Sequence, residues 1–230
     1  MGSGNGTTAE VQVREIEVVE DFSASARCDE GFLQVRRLRC RNKRTDGTRS
    51  PVYRVDVVDR PKLDAVAVVV YRKGEGGIEL FTRQNLRPAA FFRKDKSKTV
   101  EPEPSHLFVE EIVAGLLEME DRGDKGILHR AAEEVREESG FTVTPEEVRS
   151  LGGPFFLAPG ILSEKIFLCA VDVTGREQGM AKGDGSPLEE TGGMRWRTLA
   201  DLLRACRTGE IQDAKTELGA YRLQAELAAP

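Results

Sequence analysis

Long apolar runs are missing from this sequence, since no stretch approaches the ~18–20 residues that a membrane-spanning helix needs. Residues 1–6 lack both the apolar core of a signal peptide and the Ser or Thr of a myristoylation site. These absences exclude the usual signals for membrane insertion or export. We therefore expect a cytoplasmic protein that begins with a flexible tail.

Cysteine and histidine are also scarce, with four and two residues among 230. Cys28, Cys40, Cys169 and Cys206 show no C-x-x-C spacing, so we expect reduced thiols and not disulfides or zinc ligands. The two histidines cannot form a metal site between them, and His129 has no partner at the spacing of an H-E-x-x-H motif. The sequence thus argues against zinc chemistry.

An excess of positive charge is absent as well, because the net charge is −5. No helix-turn-helix pattern or long basic tail is evident, and the basic segment 36–44 alternates with apolar residues as an edge strand would. We therefore expect no nucleic-acid partner. A composition of 39% hydrophobic and 32% charged residues fits one soluble domain with a small additional module.

The sequence does contain a cluster of four glutamates within one short helical pattern: Glu133, Glu134, Glu137 and Glu138. At about 100° per residue the last three share one helix face, where like charges cost roughly 0.2–0.5 kcal/mol per pair. A divalent cation would offset that repulsion, because Mg²⁺ and Mn²⁺ prefer oxygen ligands. The clustering therefore indicates a candidate metal site.

The alternative is a solvated, salt-bridged helix face, because Arg130 and Arg136 lie at helical spacing from these acids. The pattern around the glutamates favours the metal hypothesis. Gly140 follows the segment as a C-cap, and a β-prone run begins at Phe141. Apolar residues recur at helical spacing along it: Ile127, Leu128, Ala131, Ala132 and Val135. The acidic face therefore belongs to a helix that packs against a core.

Taken together, this segment resembles the box of the Nudix hydrolases, G-x5-E-x7-R-E-U-x-E-E-x-G-U, where U is apolar. The matching positions are Glu134, Val135, Glu137, Glu138, Gly140 and Phe141. Two departures are visible. Glu133 stands where the family has an arginine thought to orient a metal-binding glutamate, and eleven residues instead of seven separate Asp121 from Glu133. The missing arginine puts catalytic strength in doubt more than metal binding.

The resemblance extends over most of the chain from about residue 32. Segments 83–88, 114–118, 158–164 and 209–214 resemble, in order and spacing, segments of the pyrophosphatases that act on ADP-ribose and nucleoside diphosphate sugars. Each match is weak alone, but their common order is a strong signal.

This resemblance implies the α+β class: a Nudix-type α/β/α sandwich with a mixed sheet, plus an N-terminal antiparallel β module. Turn residues at 45–48 between the β-prone runs 32–41 and 52–58 independently predict a hairpin there. We expect a tail and β module over residues 1–60 and a Nudix domain over residues 61–230. The related pyrophosphatases often exchange this module between subunits, which implies a homodimer.

The resemblance also implies the site residues. Mg²⁺, with Mn²⁺ as an alternative, would be held by Glu134, Glu137, Glu138 and the carbonyl of Ala114, and Glu137 and Glu138 would be catalytic. The ions would bind a diphosphate while water attacks one phosphorus.

A further glutamate from a mobile loop acts as base or ligand in the family, and Glu190, with Glu189 second, stands where that loop should be. Its alternative is an ordinary acidic loop. Arg87 is the first candidate to bind the substrate's phosphates or distal sugar, because a guanidinium matches phosphate oxygens. Arg54 and Glu164 follow, with a strand-surface role or a simple ion pair as their alternatives.

The predicted function is Mg²⁺-dependent hydrolysis of ADP-ribose or a UDP- or GDP-sugar to a nucleoside monophosphate and a sugar phosphate. One alternative is a catalytically weak Nudix module that binds a nucleotide sugar as a sensor. Another is an acidic structural helix in a partner-binding protein, which predicts no metal-dependent change in stability.

Overall fold

The computed structural model describes residues 13, 15–21, 25–100, 105–183 and 185–229, except for the side chain of residue 189. The tail predicted at residues 1–6, and residues 101–104 of the proline-rich insertion, lie outside these ranges.

The described N-terminal part forms the predicted hairpin as a two-stranded antiparallel sheet, with strand β1 at Gln34–Cys40 and strand β2 at Tyr53–Asp59. Leu38 pairs with Val55 in the middle of this ladder. At its base the N–H of Val58 donates to the carbonyl of Ile161 at 2.9 Å. The hairpin is thus a sheet of its own, and this hydrogen bond joins it to the loop that contains Ile161.

Eight further strands of the described residues form one mixed sheet. They are β3 (Ala65–Gly74), β4 (Gly77–Leu86), β5 (Phe108–Glu111), β6 (Val113–Leu116), β7 (Arg149–Ser150), β8 (Phe155–Phe156), β9 (Lys165–Asp172) and β10 (Thr191–Thr198). The main order is β10-β4-β3-β9-β7, in which β3 and β9 are parallel; β5, β6 and β8 pair antiparallel with β4, β3 and β9. A central strand that is apolar on both faces is typical of a sheet covered on both sides.

Helices cover both faces of this sheet. The described α-helices are α1 (Pro88–Phe91), α2 (Gly123–Glu134), α3 (Leu199–Thr208) and α4 (Ala214–Leu227). Side chains alternate along β3, so Ala67 and Val69 join the core cluster under α3 and α4, while Val66 and Val68 join the cluster under α2. The predicted α+β class, with a mixed sheet between helices and an antiparallel N-terminal module, is confirmed.

Capping residues set where the helices begin and end. The side chain of Thr198 accepts from the N–H of Asp201 at the start of α3, and Asp213 accepts from the N–H of Thr216 at the start of α4. Helix α2 continues into a π-helical turn, Val135–Ser139, and stops at Gly140, whose φ of 78° favours glycine. The acidic segment predicted as one regular helix therefore changes its pitch where Glu137 and Glu138 lie.

The sequence pattern of residues 148–156 predicts one strand, but the structure divides this run into β7 and β8, because Gly152 adopts a φ of +84° between them. The sequence did not predict strands β5 and β6, because each has four residues, too few for a clear period-two pattern. Throughout the described ranges no helix combines the length and apolarity needed to cross a membrane.

Candidate active site

The carboxylates of Glu134 and Glu138 lie against strand β6. The N–H of Ala114 donates to Oε2 of Glu138 at 2.9 Å, and Glu138 is only 8% exposed. Glu134 lies against Gly115, where a Cβ would come within 1.9 Å of Oε1 of Glu134. Gly115 therefore leaves room for the carboxylate of Glu134 in its present position, and a larger residue would displace that carboxylate.

Arg83 on β4 is the functional candidate that sequence reasoning missed. Its Nη1 lies 2.6 Å from Oε1 of Glu138, and the arginine is 4% exposed. The sequence held only a weak signal, because Arg83 follows Phe81 at the spacing of one strand face in a segment that also carries other polar residues. A buried arginine needs a buried partner, and Glu138 is that partner.

Glu137 occupies a more open position in the π-helical turn. Its carboxylate pairs with Arg136 at 3.0 Å, and its backbone carbonyl accepts from the N–H of Gly183 at 3.1 Å. In the described ranges, no group of three or more His, Cys, Asp or Glu side chains is arranged to hold a metal ion. The structure thus brings Glu134 and Glu138 to the Ala114–Gly115 strand, with Glu137 on the outer side.

The chemistry of these donors would suit a Mg²⁺ ion. The donors are carboxylate and carbonyl oxygens, which are the ligands that hard cations prefer. Magnesium typically binds through one or two carboxylates together with waters and substrate phosphates, so it does not require a cage made by the protein alone. Glu134, Glu138 and the Ala114 carbonyl would supply the protein's share.

Glu133, the residue that departs from the Nudix box, belongs to a surface ion network. It pairs with Arg130 at 3.1 Å, and Arg130 also holds Asp121 at 2.8 Å. Burial raises the pKa of Asp121, but the hydrogen bond from Arg130 outweighs it and the pKa lies below its usual value. His129 lies 3.7 Å from Glu133 and is exposed, so it belongs to the same network.

A cavity of about 300 Å³ opens beside Arg83 and includes Glu190 in its wall. The wall is otherwise formed by Thr191, Met194 and residues 181–183 and 185–187. This segment is held to the end of the acidic helix, since the N–H of Gly183 donates to the Glu137 carbonyl at 3.1 Å. Glu190 is thereby kept near the carboxylate site, while the side chain of Glu189 lies outside the described part.

Arg87 is held by a buried carboxylate. Its Nε and Nη2 donate to the two oxygens of Glu111 at 2.6 and 2.7 Å, and Lys215 contacts Glu111 at 3.0 Å. The hydrogen bonds that Arg87 donates to Glu111 are the main reason why the pKa of Arg87 lies above its usual value. Glu111 is paired across the strands with Arg83, so Arg87, which directly follows β4, is tied to the sheet that carries Arg83.

Arg54 and Glu164 belong to the hairpin and its base. Arg54 lies exposed on β2, paired across the ladder with Arg39. Glu164 forms an ion pair with Arg60, and both side chains are largely buried. These contacts join the hairpin to the loop that precedes β9.

Comparison with known proteins adds little. No family model matches the chain, and no curated protein matches its sequence. Among solved structures, a crystal structure of a C. elegans Ap4A hydrolase binary complex is similar, with 16% identity over 72% of this chain and 98% of that chain and a TM-score of 0.47. We infer neither family membership nor activity from a similarity of this size.

Proposed function

We propose that this chain is a Nudix-type hydrolase that uses Mg²⁺ to cleave the diphosphate linkage of a nucleoside diphosphate sugar. The substrate class is ADP-ribose or a UDP- or GDP-sugar, and the products are a nucleoside monophosphate and a sugar phosphate. The observation that carries the proposal is the buried carboxylate of Glu138, which lies between Arg83 and the Ala114 amide, close to Glu134 on Gly115. This juxtaposition joins the two halves of the Nudix-like sequence pattern in space.

Each acidic residue has a distinct part in this proposal. Glu134, Glu138 and the Ala114 carbonyl would hold the ion from the protein side, and Glu137 would complete the set from its more open position. When bound, Mg²⁺ or Mn²⁺ supplies charge neutralisation at the diphosphate and activation of water. Glu190, in the cavity wall, removes a proton from the attacking water, with Glu189 as the second candidate.

The cationic residues bind the substrate. Arg87 presents a guanidinium whose plane is fixed by two hydrogen bonds to Glu111, and such a fixed fork suits phosphate oxygens. Arg54 and Glu164 are proposed as further contacts to the sugar part of the substrate. Arg54 lies on the exposed hairpin, so its participation depends on how that hairpin packs in the assembled protein.

We propose a cytoplasmic homodimer in which the hairpin packs against a second copy. Cross-strand pairing places Leu38 opposite Val55 and Cys40 opposite Tyr53 on one face, and Tyr53 is 44% exposed at its end. An apolar hairpin face of this kind is poorly stabilised without a partner. Residues 1–60 and 61–230 remain the proposed division of the chain.

A second candidate function is a sensor that binds a nucleotide sugar without cleaving it. Two observations favour it: Glu138 is already paired with Arg83, and Glu137 with Arg136. A site whose carboxylates are paired in this way could bind ligand and metal while turning over slowly.

A hydrolysis panel separates these functions. We would incubate the protein and Mg²⁺ with ADP-ribose, UDP-glucose, GDP-mannose or a nucleoside triphosphate and separate the products, with a Glu137→Gln/Glu138→Gln variant as control. A nucleoside monophosphate and a sugar phosphate, absent with the variant, are the expected products. Thermal stabilisation by a nucleotide sugar without cleavage of any compound would favour the sensor instead.

A further inference from the structure

We infer that Arg83 is a positioning residue that orients the carboxylate of Glu138 from strand β4, in place of the arginine that Glu133 replaces in the box. The inference rests on the proposed function, because it assigns Arg83 a task within the proposed metal site. It concerns a residue outside the helix that carries the acidic cluster.

The first support is the way in which Glu138 is held. Nη1 of Arg83 lies 2.6 Å from Oε1, and the N–H of Ala114 donates to Oε2 at 2.9 Å. The two oxygens are thus held from two different strands, β4 and β6. An ion contact at one oxygen and a backbone hydrogen bond at the other restrict where this carboxylate can lie.

The second support is burial. Arg83 and Glu138 are 4% and 8% exposed, so neither charge can be satisfied by bulk water. Removal of one partner from a buried ion pair leaves the other charge uncompensated. Glu138 therefore depends on Arg83 for its orientation in a way that an exposed glutamate would not.

The third support is the ion pair that Glu133 forms with Arg130. Glu133 contacts Arg130 at 3.1 Å, and that arginine is engaged with Asp121 as well. The residue at the position where the box expects an arginine therefore pairs with Arg130 in an ion network that includes Asp121. Orientation of Glu138 comes from the sheet.

The position of Arg83 in the sheet suits this task. It is paired across the ladders with Met194 on β10 and Glu111 on β5, so its backbone is fixed on both sides. Arg83 also lines the cavity that includes Glu190. Arg83 therefore both contacts Glu138 and borders this cavity.

The test compares Arg83→Gln and Arg83→Lys with the wild type. We would measure kcat and KM on the substrate found in the hydrolysis panel, and Mn²⁺ affinity without substrate by electron paramagnetic resonance. Loss of a residue that contacts a metal ligand without binding the metal itself typically lowers metal affinity or activity about 10–100-fold. We expect Arg83→Gln to lower kcat and Mn²⁺ affinity by about this factor, with KM changed less than about threefold, and Arg83→Lys to retain more of both.

A matched control is Arg197→Gln. Arg197 is also a buried arginine on this sheet, with a bidentate contact to Glu110 at 2.7 and 2.9 Å, but it is not part of the proposed site. Its loss should lower stability and leave Mn²⁺ affinity unchanged. If Arg83→Gln does not fold, the kcat and Mn²⁺ affinity of Arg83→Lys decide whether Arg83 orients Glu138, because a lysine lacks the planar fork yet keeps the charge.

A double variant shows whether Arg83 acts through Glu138. In a Glu138→Gln background, adding Arg83→Gln should change kcat less than about threefold, since the orientation that it supports is already lost. Independent losses that multiply, or wild-type Mn²⁺ affinity in both Arg83 variants, would overturn the inference. If the wild type cleaves nothing, the proposed function fails, and the Mn²⁺ measurements still decide the role of Arg83.

Discussion

Replacement of Gly115 by alanine should separate the activity of this protein from its stability. A Cβ on residue 115 would lie 1.9 Å from Oε1 and 2.0 Å from Cδ of Glu134. Carbon atoms normally approach other heavy atoms to about 3.5 Å, so the carboxylate must move by roughly 1.5 Å.

The cost of that movement in stability is small. The atoms that clash are the end of a flexible side chain, and an off-rotamer χ angle costs about 0.5–1.5 kcal/mol. Alanine also restricts the unfolded chain relative to glycine, which offsets about 0.4–1 kcal/mol. We therefore expect the free energy of unfolding to change by less than about 1 kcal/mol.

The cost in turnover is much larger. A misplacement of about 1 Å can reduce a rate about 100-fold, which corresponds to about 2.7 kcal/mol in the activation barrier. The assay is kcat on a nucleotide sugar together with urea unfolding of the same variant. Gly153→Ala is the matched control, because a Cβ there meets no atom within 4 Å. A well-folded Gly115→Ala protein with wild-type kcat would refute the assigned position of Glu134.

Three other outcomes are expected. Gly219→Ala places a Cβ 2.8 Å from Val69, and urea unfolding should show a loss of about 1 kcal/mol, because overpacking outweighs the gain in helix propensity. Burial raises the pKa of Glu111, but Arg87 and Lys215 outweigh it, so the folded pKa lies below the ordinary 4.5. The charged Glu111 therefore stabilises the fold above pH 4.5, and this stabilisation is lost as the pH falls through the folded pKa. Glu111→Gln should lower the free energy of unfolding by about 3 kcal/mol at pH 7. In urea titrations, the difference between the wild type and this variant should become smaller below about pH 4. Mg²⁺ at a hundred times its dissociation constant should raise stability by about 2.7 kcal/mol, and a chelator should reverse that gain.

Much of the fold could be predicted because local patterns agree with it. The apolar run at 65–71 became the central strand, and the hairpin followed from its turn residues. Gly140 ends the acidic segment in the left-handed conformation that its position predicted. In these elements, the secondary structure that the local sequence pattern favours is also the one that tertiary packing requires.

The rest depends on contacts between distant residues. The pairing of Arg83 with Glu138 joins two elements that no spacing rule connects, so only the assembled sheet reveals it. The π-helical turn at Val135–Ser139 departs from the 3.6-residue period on which the helix prediction relied. Arg87 was predicted to bind the substrate's phosphates or distal sugar, and its bidentate contact to Glu111, which follows from the pairing of β4 with β5, was not predicted.

The most direct test of the central claim is a ³¹P NMR time course of the preferred nucleotide sugar with Mg²⁺ in ¹⁸O-labelled water. The account predicts that two phosphomonoester signals replace the diphosphate signals, that one product carries a single ¹⁸O, and that Glu138→Gln slows this conversion at least about 100-fold. Diphosphate signals that persist with the wild type, or equal rates for the wild type and Glu138→Gln, would contradict it.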